Sequence, residues 1–296
     1  MRKDRFSAWS YGLMTLALLG TMLLCICLGS AAIPLTDTLS AFGSVLFGTQ
    51  PPAGTARTIV LTVRLPRVLC VALTGASLSL CGAAMQGLLR NPLADGSTLG
   101  VSTGAALGAV TALAFGITSL GTMGMAMLFA FASLLLILSL AYTLDRSLAT
   151  HSIILIGVIF SMFASSLMSL IIYYAGEKIR SITFWTMGSL AHCRYPHAAW
   201  LAGALLICGS VILLHREELN AFAVGEENAQ HVGVHVKRVK LTVLIAVSVL
   251  IGVCVSIGGT IAFVGLVTPH MARMVVGPNH KRLLPASLFA GAIFLL

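Results

Sequence analysis

The stretch His215–Lys240, HREELNAFAVGEENAQHVGVHVKRVK, is the one long polar island in a chain that is otherwise almost continuous hydrocarbon. Arg216, Glu217, Glu218, Glu226, Glu227, Lys237, Arg238 and Lys240 all fall inside it. Its centre, Asn220 to Gly233, mixes small apolar, acidic and amide residues, which suits one or two short helices lying at a membrane surface and offered to a partner. A solvated connection between two membrane spans has the same composition, so the island alone leaves both readings open.

Over the whole chain, island included, hydrophobic residues make up 58% and charged residues 9%, against about 25% charged in an ordinary soluble domain. The mean hydropathy is +0.99. These values describe an all-α polytopic membrane protein. A span takes about 20 apolar residues, so 296 residues hold eight or nine helices with short loops, in one bundle rather than separate domains. Apolar runs bounded by charges place the spans near 11–33, 68–89, 98–116, 121–144, 152–174, 198–214, 241–257 and 260–275. A ninth begins at Pro285 and stops at Leu296. About a dozen residues at 1.5 Å each cannot cross a hydrocarbon layer about 30 Å thick, so the expectation is that the chain lacks its natural C-terminus. The apolar run from Tyr11 to Ile33 resembles a secretory signal but is longer than a typical 7–15-residue signal core, which favours a retained first span.

The net charge of +9 would suggest nucleic acid if the basic residues shared a soluble face. They lie in short loops instead, where they orient the bundle. With the N-terminus inside, the cytoplasmic side carries Arg2, Lys3, Arg5, Arg90, Arg146, Arg216, Lys237, Arg238, Lys240, Arg273, Lys281 and Arg282. Only Arg57, Arg64, Arg67, Lys178, Arg180 and Arg194 are left outside, so the polar island is expected to be cytoplasmic.

Small residues recur inside the spans, at Gly75-Ala76, Gly82-Ala83-Ala84, Gly104-Ala105-Ala106 and Gly108. They let helices approach closely where lipid supplies no hydrophobic drive for association. Gly252 to Pro269 is richer still in Gly and contains a Pro. A broken backbone there needs protein or water around it, which fits the wall of a central path, or equally a tightly packed, inert helix pair.

Asp4, Asp37, Asp95, Asp145, Glu177, Glu217, Glu218, Glu226 and Glu227 all fall in loops or at span ends. Proton-coupled carriers commonly use intramembrane carboxylates, so a self-sufficient ion-driven carrier is disfavoured, while sodium sites built from carbonyls and hydroxyls stay open. Energy for uphill transport would then arrive through the island. No G-x-x-x-x-G-K-[ST] or H-E-x-x-H occurs, and no catalytic residue, nucleotide site or cofactor is assigned. His231 and His235 have i,i+4 spacing, but Gly233 lies between them and no third ligand is evident, so no metal is expected. The seven cysteines lack any metal-type spacing; all but Cys193 sit in apolar runs and read as small packing residues.

Several stretches together resemble a known family. Arg64-Leu-Pro-Arg67, Gln86-Gly-Leu-Leu-Arg-Asn-Pro-Leu-Ala94 and Leu99-Gly-Val-Ser-Thr-Gly-Ala105 are similar to the opening signature of FecCD-type permeases, the membrane subunits of ABC importers for iron–siderophores and vitamin B12. Phe184-Trp-Thr-Met-Gly-Ser-Leu190 looks like the family's external loop. Phe263-Val-Gly-Leu-Val-Thr-Pro-His-Met-Ala-Arg273 with Gly277-Pro-Asn-His-Lys-Arg-Leu-Leu-Pro285 resembles its late signature.

The resemblance implies a ten-helix ABC importer permease, of which this chain supplies about eight spans plus a partial ninth, as one transmembrane domain over residues 1–296 with a cytoplasmic coupling loop at 215–240. It implies a second permease subunit (homo- or heterodimer), cytoplasmic ATPases, a periplasmic or lipid-anchored binding protein, and the bacterial inner membrane as location. Arg64 and Arg67 fall where the family docks acidic residues of the binding protein. Thr150 and His151 fall at its cytoplasmic gate, His151 departing from the small hydroxyl residue expected there. Ala221, Gly225, Glu226, Glu227, Asn228, Ala229 and Gly233 match its ATPase-coupling segment. Gln86, Asn91, Pro92, Gly265, Pro269 and His270 belong to the motifs, as path-facing or structural positions; for Gln86 an interhelical hydrogen bond is the expected role. A ferric siderophore leads as substrate, with haem, cobalamin, an ion-coupled carrier and an incomplete permease as alternatives.

Overall fold

A computed structural model describes residues 8–29, 33–34, 55–96, 98–117, 120–144 and 149–296, together with Thr36, Thr38, Ser40 and Gly43. Arg2, Lys3, Arg5 and Arg146 of the charge tally, and Asp4, Asp37 and Asp145 of the acidic set, lie outside the described residues.

The apolar runs form helices α1 (Ala8–Cys27), α2 (Leu65–Leu88), α3 (Val101–Ala114), α4 (Leu120–Leu144), α5 (Thr150–Tyr174), α6 (Ile179–Thr186) and α7 (Tyr195–Leu214). The island forms α8 (Arg216–Phe222) and α9 (Glu226–His231), and the chain continues as α10 (Val236–Gly258), α11 (Val264–Val276) and α12 (His280–Leu295). Among the described residues, six helical segments are long and apolar enough to cross a membrane. The chain is therefore a multi-pass membrane protein.

α2 and α10 form the centre of the bundle. Of the most apolar window of each, 83% and 72% is buried, against 6% for α1 and 22% for α5. Their sequences explain the difference. α2 carries Gly75, Gly82 and a run of Ala and Ser, whereas α5 presents Leu155, Met162, Phe163 and Tyr173 outward. A methyl group at Gly82 would strike the Gly265 backbone, and one at Gly75 the backbone carbonyl of Gly291, so these glycines set how closely α11 and α12 approach α2. At the α3–α4 crossing, Gly104 faces Ser133 and Gly108 faces the Met125 carbonyl. Between α2 and α11, Thr268 Oγ1 lies 2.5 Å from the Val264 carbonyl and 2.7 Å from Ser79 Oγ. With one proton to give, Thr268 donates to its own helix and accepts from Ser79.

Several segment boundaries differ from those expected. The run expected to begin at residue 68 is helical from Thr55, through a short turn, Thr55–Thr58, and a π-helical stretch, Ile59–Arg64, that joins α2 without a break. Pro66 has no N–H for an i−4 bond, and the wider register lies just upstream of it. α12 starts at His280 rather than Pro285, because Asn279 Oδ1 accepts from the Lys281 N–H and caps the helix earlier. The run taken as 98–116 is helical only over the 14 residues of α3, and that taken as 260–275 over the 13 of α11.

The last of these runs follows a break. After Gly258, Gly259 adopts φ 72°, and Phe263 enters α11 in the left-handed region at φ 66°. The freed groups are held by neighbours: Ser189 N–H donates to the Gly258 carbonyl at 2.8 Å, and Thr260 Oγ1 donates to the Thr186 carbonyl at 2.5 Å. The backbone between Gly252 and Pro269 is thus broken, with Gly258 held by the neighbouring corner and Ala262 and Phe263 exposed.

Candidate functional site

The polar island has two faces. Leu219, Phe222 and Ala229 are buried against the bundle, and Asn220 ties α8 to α12. Asn220 Oδ1 accepts from the His280 N–H at 2.8 Å, and its amide donates to Asn279 Oδ1 at 3.1 Å. The opposite face exposes Glu227, Asn228, Gln230 and Gly233, and with them Val224 (69% exposed) and Val232 (75%). These two valines are exposed apolar side chains on an otherwise polar element.

Gly225 separates the two helices at φ 124°, ψ 151°, a conformation open to glycine and strained for other residues. It sets Glu226 at the start of α9, turned inward. Glu226 Oε1 accepts from the Thr150 hydroxyl at 2.7 Å, and Oε2 accepts from Lys240 Nζ at 2.7 Å. Lys240, in the first turns of α10, has no exposed side-chain surface, and Glu226 is 28% exposed. One carboxylate therefore joins the island, the start of α5 and the start of α10 through charge-assisted hydrogen bonds. His151, the other gate candidate, points to the exterior, whereas Ala221 is half-buried.

Farther along, Gln86 bridges α2 and α11. Its amide donates to the Leu266 carbonyl at 3.2 Å, and its Oε1 accepts from Arg273 at 2.9 Å. Asn91 Oδ1 accepts from the Leu93 N–H at 2.9 Å in the turn that ends α2, with Pro92 exposed beside it. Gly265 packs on Gly82, Pro269 is buried within α11, and His270 is exposed. His231 ends α9 while His235 lies beyond the turn at Gly233, so the two do not share a helix face.

The arginine pair divides. Arg64 turns back and donates to the Ile26 and Cys27 carbonyls at 2.6 and 2.9 Å, satisfying the C-terminal carbonyls of α1. Gly29 leaves room for it. Arg67, three residues on, is exposed. Between the turn at Asp95-Gly96, α3, α5 and the broken backbone lies a cavity of about 270 Å³, with Ser102, Thr103, Ser165 and Thr260 among its lining groups.

Sequence reasoning passed over Lys240 and Asn220. Lys240 counts as one more loop cation until its burial is known, and nothing in the local pattern sets Asn220 apart from its solvated neighbours.

The profile of the FecCD transport family matches residues 16–296. An ABC transporter permease of Bacillus subtilis, YvrB, itself named as uncharacterized, is 37% identical over all of this chain and 85% of its own length. The vitamin B12 import permease BtuC of Klebsiella pneumoniae is 34% identical over all of this chain and 85% of its own. The hemin transport permease HmuU of Yersinia pestis is 35% identical over 80% of this chain and 73% of its own. Among solved structures, an inward-facing transporter assigned to the metal-chelate ABC type superposes with a TM-score of 0.86 at 30% identity, over 98% of this chain and 88% of that one. The chain belongs to the FecCD transport family.

Proposed function

We propose that the chain is the membrane-spanning permease subunit of an ATP-driven importer, carrying a metal chelate inward across the bacterial inner membrane with its N-terminus and polar island on the cytoplasmic side. Two such subunits, or one with a homologous partner, enclose the path. ATPases dock on the island, and a periplasmic or lipid-anchored binding protein docks on the opposite end through Arg67. ATP hydrolysis belongs to the partner subunits, since no phosphate-binding loop occurs in this sequence.

The observation that carries the reading is the Glu226 bridge. The exposed face with Val224, Glu227, Asn228 and Val232 receives the ATPase, while the inward-turned Glu226 of the same element holds Thr150 at the start of α5 and Lys240 at the start of α10. A push on the island is thereby passed to the ends of two spans through short, charge-assisted contacts rather than through a flexible loop.

A ferric siderophore is the substrate we test first. The relatives named for vitamin B12 and hemin support a chelated metal as the wider class and set cobalamin and haem beside it. The test is reconstitution in liposomes with the genomically neighbouring ATPase and binding protein, following ATP-dependent uptake of radiolabelled ferric siderophore, cobalamin and haemin in parallel. Uptake of one ligand that needs all three components establishes importer and substrate together. Uptake that survives removal of the ATPase and is abolished by an ionophore would instead make the chain an ion-coupled carrier.

A further inference from the structure

Cys70 and Cys193 come together at the end of the bundle opposite the island. Cys70 lies in the second turn of α2, one turn beyond Arg67, and Cys193 in the corner between α6 and α7. Both are free thiols. The Cys70 thiol faces the Arg194 carbonyl at 3.9 Å, one residue past Cys193, which makes the two thiols neighbours that act on each other electrostatically.

The corner is held in place. Cys193 N–H donates to the Leu190 carbonyl at 3.4 Å, and Arg194 N–H donates to His197 Nδ1 at 3.1 Å. The Tyr195 hydroxyl donates to the Leu61 carbonyl at 2.5 Å, tying the start of α7 to the π-helical stretch before α2. These contacts hold the corner, and with it Cys193, beside Cys70.

We propose that Cys70 and Cys193 form a reversible disulfide, a redox-responsive staple between the outer end of α2 and the α6–α7 corner. The placement on the oxidising side rests on the orientation given under Proposed function. The oxidant is an external low-molecular-weight disulfide. Cys193 attacks as the thiolate, its acidity raised by the neighbouring Cys70 thiol and by the nearby Arg67 guanidinium. One sulfur of the oxidant leaves as a thiol and a mixed disulfide remains on Cys193. Cys70 then loses its proton, attacks Cys193 Sγ and releases the second thiol. Two electrons and two protons pass from the cysteine pair to the oxidant, and a reducing thiol reverses the sequence.

The staple reaches past the two cysteines. Ser189, in the same corner, holds the Gly258 carbonyl at the broken backbone, and Gly188 packs on Thr260. Oxidation would thus add a covalent link between the Arg67-bearing helix end and the segment that supports the break, and reduction would leave only the non-covalent ties.

The test compares right-side-out with everted membrane vesicles, each exposed to membrane-impermeant oxidised glutathione, quenched with acid, alkylated with N-ethylmaleimide and mapped without reduction. The expected result is a linked Cys70–Cys193 peptide in right-side-out vesicles, with loss of both alkylated peptides, reversal by dithiothreitol and absence of the link in Cys70→Ser and in Cys193→Ser. A link confined to everted vesicles supports the pair and overturns the orientation instead. Both cysteines alkylated in both preparations overturn the proposal.

Discussion

Lys240, with no exposed side-chain surface, donates to Glu226 Oε2 at 2.7 Å, while the other oxygen of Glu226 takes the Thr150 hydroxyl. A buried ammonium is tolerated because a carboxylate meets it. Glu226→Ala should therefore cost on the order of 3 kcal/mol of stability, seen as a lowered thermal midpoint in detergent. Glu226→Gln keeps the size and a contact for Thr150, and should cost less. Both should reduce ATP-driven uptake more than they reduce ATPase binding, since the exposed face of the island is left intact.

That face makes its own prediction. Val224→Asp with Val232→Asp places charges where two apolar side chains are 69% and 75% exposed. ATPase association, measured by surface binding of the solubilised subunits, should weaken by about tenfold or more, equivalent to about 1.4 kcal/mol. Stability should stay within about 0.5 kcal/mol. Unchanged association would move the docking surface elsewhere.

The two arginines of the Arg64-Leu-Pro-Arg67 motif should separate in experiment. Arg67→Glu is expected to slow binding-protein association by about tenfold at low salt, with the effect shrinking as salt rises. Arg64→Ala removes hydrogen bonds to the Ile26 and Cys27 carbonyls and should instead cost about 1 to 3 kcal/mol of stability. Association kinetics and thermal unfolding of the same variants distinguish the two roles.

Packing sets a further test. In Gly82→Ala the new methyl meets the Gly265 backbone, which has no rotamer to yield, so a loss of about 3 kcal/mol or failed assembly is expected. Gly124, on the outer face of α4, has no neighbour within 4 Å of an added methyl group. Gly124→Ala should be neutral within about 0.5 kcal/mol.

Much of this architecture is legible in the residues. The apolar runs and their flanking charges give the spans, and the glycines at 75, 82, 104 and 108 mark crossings that the structure places at α2–α12, α2–α11 and α3–α4. The break after Gly258 is visible in its glycine content. Helix ends are less legible, because a cap such as Asn279 competes with the stronger signal of Pro285. Long-range pairs are not legible. Glu226 and Lys240 lie 14 residues apart and Glu226 and Thr150 lie 76 apart, and only the fold reveals that a cation in a polar stretch is buried. Cys70 and Cys193 escape for the same reason, since each alone reads as a small packing residue.

The central claim is that the island and the start of α5 move as one body. Spin labels at His151→Cys and Gln230→Cys, both exposed positions, in the otherwise cysteine-free permease report the distance between them by pulsed electron paramagnetic resonance as the assembled transporter binds and hydrolyses ATP. This distance should change by less than about 2 Å, the scale of a small helix shift, while the same pair in the Glu226→Ala background should spread or shift. A change of several ångströms in the Glu226-containing protein, with uptake intact, would contradict the claim.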